Sequence, residues 1–346
     1  MELRKEKRNG NLLLTRNPNP DLETCSRLTM QKSDFSNSRL IMIGGKGGVG
    51  KTTISAALAF HFAASGEKTL LISSDPTPSL SDIFETEIGS KEKHIRGVEG
   101  LYGLEISSEV ILQRWKEKFG PEIYEVISAF SNLDYDFVDY IGGAPGIEEE
   151  YMLHTILELV ESGIYRRVIW DTAPAGHTLR LLHLPQLFLN HLEAAARFYM
   201  NLYGTLEKIA STVRLKKSKR TILQIIKGWK ELSQKVLDFI RDPEEAAYVI
   251  VTIAEALGVR LTERLLKDFD DFRLPVGHLI VNNLVQEADC DFHRQRQAMQ
   301  RKYLKALSAQ YGKRMTLIEV PLFPYEVRGV KRIAQVAKVL FPSGPG

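Results

Sequence analysis

The residues best suited to chemistry come early, in the run Gly44-Gly45-Lys46-Gly47-Gly48-Val49-Gly50-Lys51-Thr52-Thr53. From Gly45 to Thr52 it fits the phosphate-loop pattern G-x-x-x-x-G-K-[ST] in full. Glycines at 45, 47, 48 and 50 let backbone N–H groups, with that of Val49, crowd around a phosphate. The N-terminus of a following helix adds partial positive charge. Lys51 would reach the β- and γ-phosphates of a bound nucleotide, the Thr52 hydroxyl would hold Mg²⁺, and Thr53 would donate to the α-phosphate. Lys46 is unusual. The loop bends away from its own nucleotide there, so a long cation points outward. In a face-to-face homodimer it reaches the partner's γ-phosphate, which is the work of an arginine finger.

The Lys-Gly-Gly-x-Gly-Lys-Thr arrangement resembles the deviant Walker A of a superfamily of dimeric ATPases. Longer motifs narrow the choice. Asp171 follows the apolar run Val168-Ile169-Trp170 and opens Asp171-Thr172-Ala173-Pro174-Ala175-Gly176-His177-Thr178-Leu179-Arg180-Leu181-Leu182. This stretch resembles the D-T-A-P-[TA]-G-H-T-L-R-L-L of the arsenite-pump and tail-anchored-protein-targeting ATPases. An acid after a buried strand suits the Mg²⁺ shell, and Gly176 would give an unhindered N–H to the γ-phosphate. Ser73-Ser74-Asp75-Pro76-Thr77-Pro78-Ser79-Leu80-Ser81-Asp82 resembles the family's first switch. The resemblance implies that Asp75 orients the attacking water as general base. Pro78 replaces the family's usual histidine. Asn282 and Asn283 end a strand-like run where the family binds adenine. Pro321-Leu322 with Glu326-Val327-Arg328-Gly329 is similar to the family's loop over the base. The resemblance runs from about Leu40 to about Val339.

These groups need a sheet to hold them. Leu40-Ile41-Met42-Ile43 reads as a buried strand, and Thr53 to Ser65 as a helix stopped at Gly66. Strand-like runs recur at 69–73, 104–106, 165–170, 247–253, 277–283 and 316–320, alternating with helical ones. Such alternation predicts an α/β fold, a P-loop NTPase with a mostly parallel sheet and helices on both faces. Residues 107–160 and 186–245 break the pattern and predict an inserted helical subdomain. There Leu192, Ala195, Tyr199, Leu202, Leu206, Ile209 and Val213 fall at helical spacing, as do Ile222, Ile225, Trp229, Leu232, Val236 and Phe239. Two readings stand open. The stripes are core, with Arg214, Lys216, Lys217, Lys219 and Arg220 in a solvated turn between two helices. Otherwise part of the stripe is exposed and forms a groove for a client's transmembrane helix.

Composition sets bounds. The chain has 346 residues, 44% hydrophobic and 26% charged, with a net charge of +3. A balanced charge argues against nucleic acid as partner, and no apolar run approaches the roughly 20 residues of a membrane span. The expected location is the cytoplasm, with membrane association transient and through a partner. Residues 1–37 are polar and aperiodic and read as a disordered extension, with the ATPase domain covering 38–346. Of the two cysteines, Cys25 lies in that extension, so one chain cannot assemble three thiolates for arsenite. Cys290 and His293 form C-x-x-H where many targeting ATPases have C-x-x-C. Two chains across a two-fold axis would close a zinc site. The resemblance therefore implies a homodimeric Mg²⁺-dependent ATPase that delivers hydrophobic membrane-protein segments. The alternative is the soluble motor of an arsenite or anion efflux pump.

Overall fold

The structure, a computed structural model, describes residues 29–74, 79–128, 135–142, 147–172 and 213–342. Asp75, Pro78, Gly176, Cys25 and the apolar stripe from Leu192 to Ile209 lie outside these residues.

Among the described residues, eight strands form one sheet: β1 (Leu40–Gly45), β2 (Thr69–Ser73), β3 (Lys93–His94), β4 (Leu101–Glu105), β5 (Arg167–Asp171), β6 (Ala246–Ile253), β7 (Val276–Leu284) and β8 (Thr316–Pro321). Their order is β3-β4-β2-β5-β1-β6-β7-β8. Every pairing is parallel except the two-residue edge strand β3 against β4, the strand that hydropathy alone does not reveal. The predicted strands all form, with ends shifted by a few residues.

Side chains alternate across a strand, and both faces of this sheet are covered, so its strands are apolar throughout. Ile41, Ile43, Leu71, Ile169, Val249 and Ile280 point to one core, shared with α1 (Lys51–Ala64), α2 (Ser79–Phe84) and α9 (Gly329–Leu340). Leu40, Met42, Leu70, Val168, Trp170 and Ile250 point to the other. There they meet α3 (Ser108–Ser128), α5 (Ile147–Glu161), α6 (Val213–Arg241), α7 (Ala256–Asp271) and α8 (Asp291–Tyr311). A short helix, α4 (Asp136–Gly142), packs on α3.

The helical layer fills the places where βα alternation breaks, with α3 to α5 between β4 and β5 and α6 before β6. Val236 and Phe239 of the second predicted stripe are buried, together with Ile226, Leu237 and Ile240. Trp229 packs its ring edge-on to Phe119 and donates its indole N–H to Glu122 at 2.9 Å. Val236 and Phe239, with Trp229 packed against their cluster, put the end of this stripe in the core. The basic residues 214–220 lie inside the opening turns of α6 rather than in a turn between helices. Lysine and arginine are good helix formers, and no glycine or proline intervenes before Gly228.

The fold also begins earlier than Ser38. Met30 is 2% exposed and donates its N–H to the Leu340 carbonyl at 3.0 Å. A 3-10 turn at Lys32–Phe35 puts the fully buried Phe35 against Phe62 and stacks it on His278. Two apolar residues in a polar stretch give no periodicity, yet both find core positions.

His278 and His154 are both buried. Burial holds both below the ordinary value of 6.5; at His278 the Asp34 carboxylate opposes that shift, and at His154 the Glu158 carboxylate does, while Lys118 adds to it. Unfolding therefore takes up protons. The stability these groups contribute is complete above pH 6.5 and declines as pH falls below it. A urea midpoint that drops between pH 7 and 5.5, with a smaller drop in His278→Phe, is the expected result.

Candidate active site

Strand β1 sits in the middle of the sheet, flanked by β5 and β6, and the phosphate loop leaves its carboxyl end. The loop runs close against β6 and Asn282, which explains two of its glycines. Gly45 has φ +151°, and a Cβ there would lie 2.4 Å from the Val251 carbonyl oxygen. Gly50, at φ +92°, caps α1, and a Cβ there would meet the Asn282 amide at 2.3 Å. Gly47 and Gly48 are exposed, Val49 is buried beneath them, and Lys46 is half-buried at the loop mouth. Lys51 opens α1, is buried, and points its Nζ back to the Lys46 carbonyl at 3.4 Å.

The register Ile43↔Asp171 sets the carboxylate beside this loop. Asp171 is 1% exposed. Its Oδ2 accepts from the Thr52 hydroxyl at 2.7 Å, so the two residues expected around Mg²⁺ do meet. Its Oδ1 accepts from Ser55 at 3.2 Å. Ser55 escaped the sequence reading; it lies one helical turn past Lys51, whose carbonyl it also contacts at 2.9 Å. Next to Asp171, Thr172 donates its hydroxyl to the Ile43 carbonyl at 2.7 Å and ties β5 to β1.

A cleft of about 430 Å³ opens from Gly48, Gly50, Thr52 and Thr53 past Asn282 and Asn283 to Phe323, Tyr325 and Arg328. Its size and its mix of backbone amides, apolar rings and a cation suit a nucleotide. The two asparagines divide their work. Asn282 is buried in the cleft wall and donates Nδ2 to the Val49 carbonyl at 2.9 Å, so it braces the phosphate loop. Asn283 takes a left-handed conformation, φ +59°, and lines the cleft. Pro321 ends β8 opposite Leu284, and its neighbours Val320 and Leu322 line the cleft. The loop beyond is stiffened by Arg332, whose guanidinium stacks 4.6 Å from the Tyr325 ring.

Asn282→Ala is expected to weaken ATP binding about tenfold, the equivalent of one buried hydrogen bond of about 1.4 kcal/mol. Titration with a fluorescent ATP analogue reads it. An unchanged Kd would mean the loop holds its shape unaided.

Away from the cleft, Cys290 and His293 come together, and Asp289 joins them. Their ligating atoms lie within 4.8 Å of one another. His293 Nδ1 hydrogen-bonds Asp289, which holds that carboxyl below its usual range. The C-x-x-H spacing gave no sign of the third residue, because a lone acid on a loop is unremarkable in sequence.

Residues 38–342 match the family of anion-transporting ATPases. The chain belongs to that family. Several ATPases align over most of their length. An ATPase ASNA1 homolog of Paramecium tetraurelia is 32% identical over 308 residues, 87% of this chain and 91% of the relative. The ATPase ASNA1 homolog of Dictyostelium discoideum is 32% identical over 314 residues, covering 88% and 91%. ATPase GET3 of Rhodotorula glutinis is 30% identical over 299 residues, 86% of each chain. As a member of the anion-transporting ATPase family, this chain is an ATP-hydrolysing enzyme.

Proposed function

We propose that this ATPase works as a Mg²⁺-dependent homodimer in the cytoplasm that binds hydrophobic segments of membrane proteins and delivers them to a membrane through a partner. The observation that carries the reading is the helical layer. Its first helix, α3, starts three residues past the end of β4, and its last, α6, runs into β6 beside the phosphate-loop strand. Helices so placed can follow the nucleotide state. The resemblance to targeting ATPases, and relatives named GET3 and ASNA1, point the same way. Among the described residues no helix is long and apolar enough to cross a membrane.

Thr52 and Asp171 are all-oxygen donors 2.7 Å apart, a set that suits Mg²⁺. Bound there, the ion would neutralise charge on the phosphate oxygens. Lys51 holds the γ-phosphate from its own subunit, and Lys46 from the partner's side. Asp75 orients the attacking water, and Gly176 donates its N–H to the γ-phosphate. Cys290 and His293 of two chains would hold one zinc ion, with Asp289 fixing the imidazole through Nδ1. Metal analysis of purified protein is expected to give one zinc per two chains, lost in Cys290→Ser.

Steady-state ATPase activity with and without a tail-anchor peptide tests the main reading. A changed turnover with the peptide, and none with arsenite, is the expected result. The second reading, a motor for an anion exporter, rests on the family's anion-transporting description. It expects the opposite pattern: stimulation by arsenite and indifference to the peptide.

A further inference from the structure

Helix α2 forms part of the cleft wall, through Ser79, Asp82 and Ile83. It has six residues, too few to be stable alone, and its first N–H groups have no partner within the helix. Something outside must hold it. Glu105, the last residue of β4, does so. Its Oε1 accepts from the backbone N–H groups of Leu80 at 2.8 Å and Ser81 at 3.0 Å. Its Oε2 accepts from the Ser81 hydroxyl at 2.6 Å. That hydroxyl oxygen in turn accepts from Ile88 N–H at 2.9 Å, so one carboxylate secures the helix at its start and, through Ser81, beyond its end. Glu105 is fixed as well: its N–H reaches the Gly89 carbonyl at 3.0 Å, and it lies opposite Ser73 in the sheet.

We propose that Glu105 is a positioning residue for ATP hydrolysis: it sets α2 against the phosphate loop without touching the nucleotide. The inference rests on ATP hydrolysis alone and is independent of what the protein carries. Glu105 suits this role because three donors converge on it, and its two oxygens accept them all. Misplacing a reacting group by about 1 Å can cost up to 10²-fold in rate, so a loosened α2 lowers turnover more than it lowers binding.

Glu105→Ala, Glu105→Gln and Ser81→Ala test this. Turnover is measured per bound fluorescent nucleotide, which removes any contribution from misfolded protein. Glu105→Ala is expected to lose about tenfold in kcat, with Kd for the analogue within about threefold. Glu105→Gln keeps an acceptor oxygen for both N–H groups and is expected to recover most of the rate. Ser81→Ala removes one leg and is expected to fall between wild type and Glu105→Ala. If Glu105→Ala does not fold, Glu105→Gln and Ser81→Ala decide. Wild-type kcat in both would overturn the proposal. So would a folded, nucleotide-binding Glu105→Gln as slow as the alanine variant, because the charge and not the anchoring would then be at work.

Discussion

Lys46→Ala is expected to bind ATP within about threefold of wild type and to turn it over about a thousandfold more slowly, the low end of what a cation supplied in trans is worth. The loop explains why the two losses separate. Lys51 lies buried behind the loop and points its Nζ at the Lys46 carbonyl, so it stays with its own nucleotide. The Lys46 side chain leaves the same loop at its half-buried mouth. Removing it takes nothing from the phosphate cradle of its own subunit. Mixing decides between the two possible sources of the charge. A Lys46→Ala chain still binds nucleotide, and a Lys51→Ala chain still carries Lys46. If the lysine acts across the dimer, mixed dimers hold one complete site and turnover returns on mixing. If it acts within its own chain, the mixture stays as slow as either variant, and the trans role is wrong.

Arg167→Met is expected to lower the unfolding free energy by about 3–5 kcal/mol, the usual loss when one partner of a buried charge pair is removed. The guanidinium is 1% exposed. Its Nε donates to Glu67 at 2.8 Å, Nη1 donates to the Phe35 carbonyl at 2.7 Å and to that of Ser38, and the group lies 4.1 Å from the Phe62 ring. Methionine fills much of the volume but donates to neither the two carbonyls nor the carboxylate. Chemical denaturation measures the loss, and nucleotide binding at low denaturant should be unchanged, because Arg167 begins β5 while Asp171 ends it. A variant within 1 kcal/mol of wild type would mean that water reaches these groups as the segment before β1 shifts.

Much of the site could be read in the sequence because its chemistry is local. A phosphate loop is contiguous, and Asp171 announces itself as an acid after an apolar strand. That Thr52 and Asp171 touch accords with the rule that the phosphate loop and Asp171 both leave carboxyl ends of neighbouring parallel strands. The roles that were missed act at a distance. Asn282 braces a carbonyl 233 positions earlier, and a sequence shows only an amide at a strand end. Glu105 anchors a helix 24 residues back, and as text it is one acid among many. Ser55 looks like any small helical residue. The segment from Met30 to Phe35 has too few apolar positions for a period, so only packing reveals that it belongs to the fold.

That segment also bears on how the chain is made. Met30 bonds to Leu340, and the first strand takes its neighbours from β5 and β6, whose pairings to Leu40 lie at Val168 and Ala246. A ribosome must therefore release nearly the whole chain before its opening turn can find its place. Until Val168 has emerged β1 has two bare edges, and until Ala246 has emerged it keeps one. Contacts so far apart in sequence form slowly, so this protein enters the cell as a nascent chain in need of the kind of shelter it is proposed to give to others.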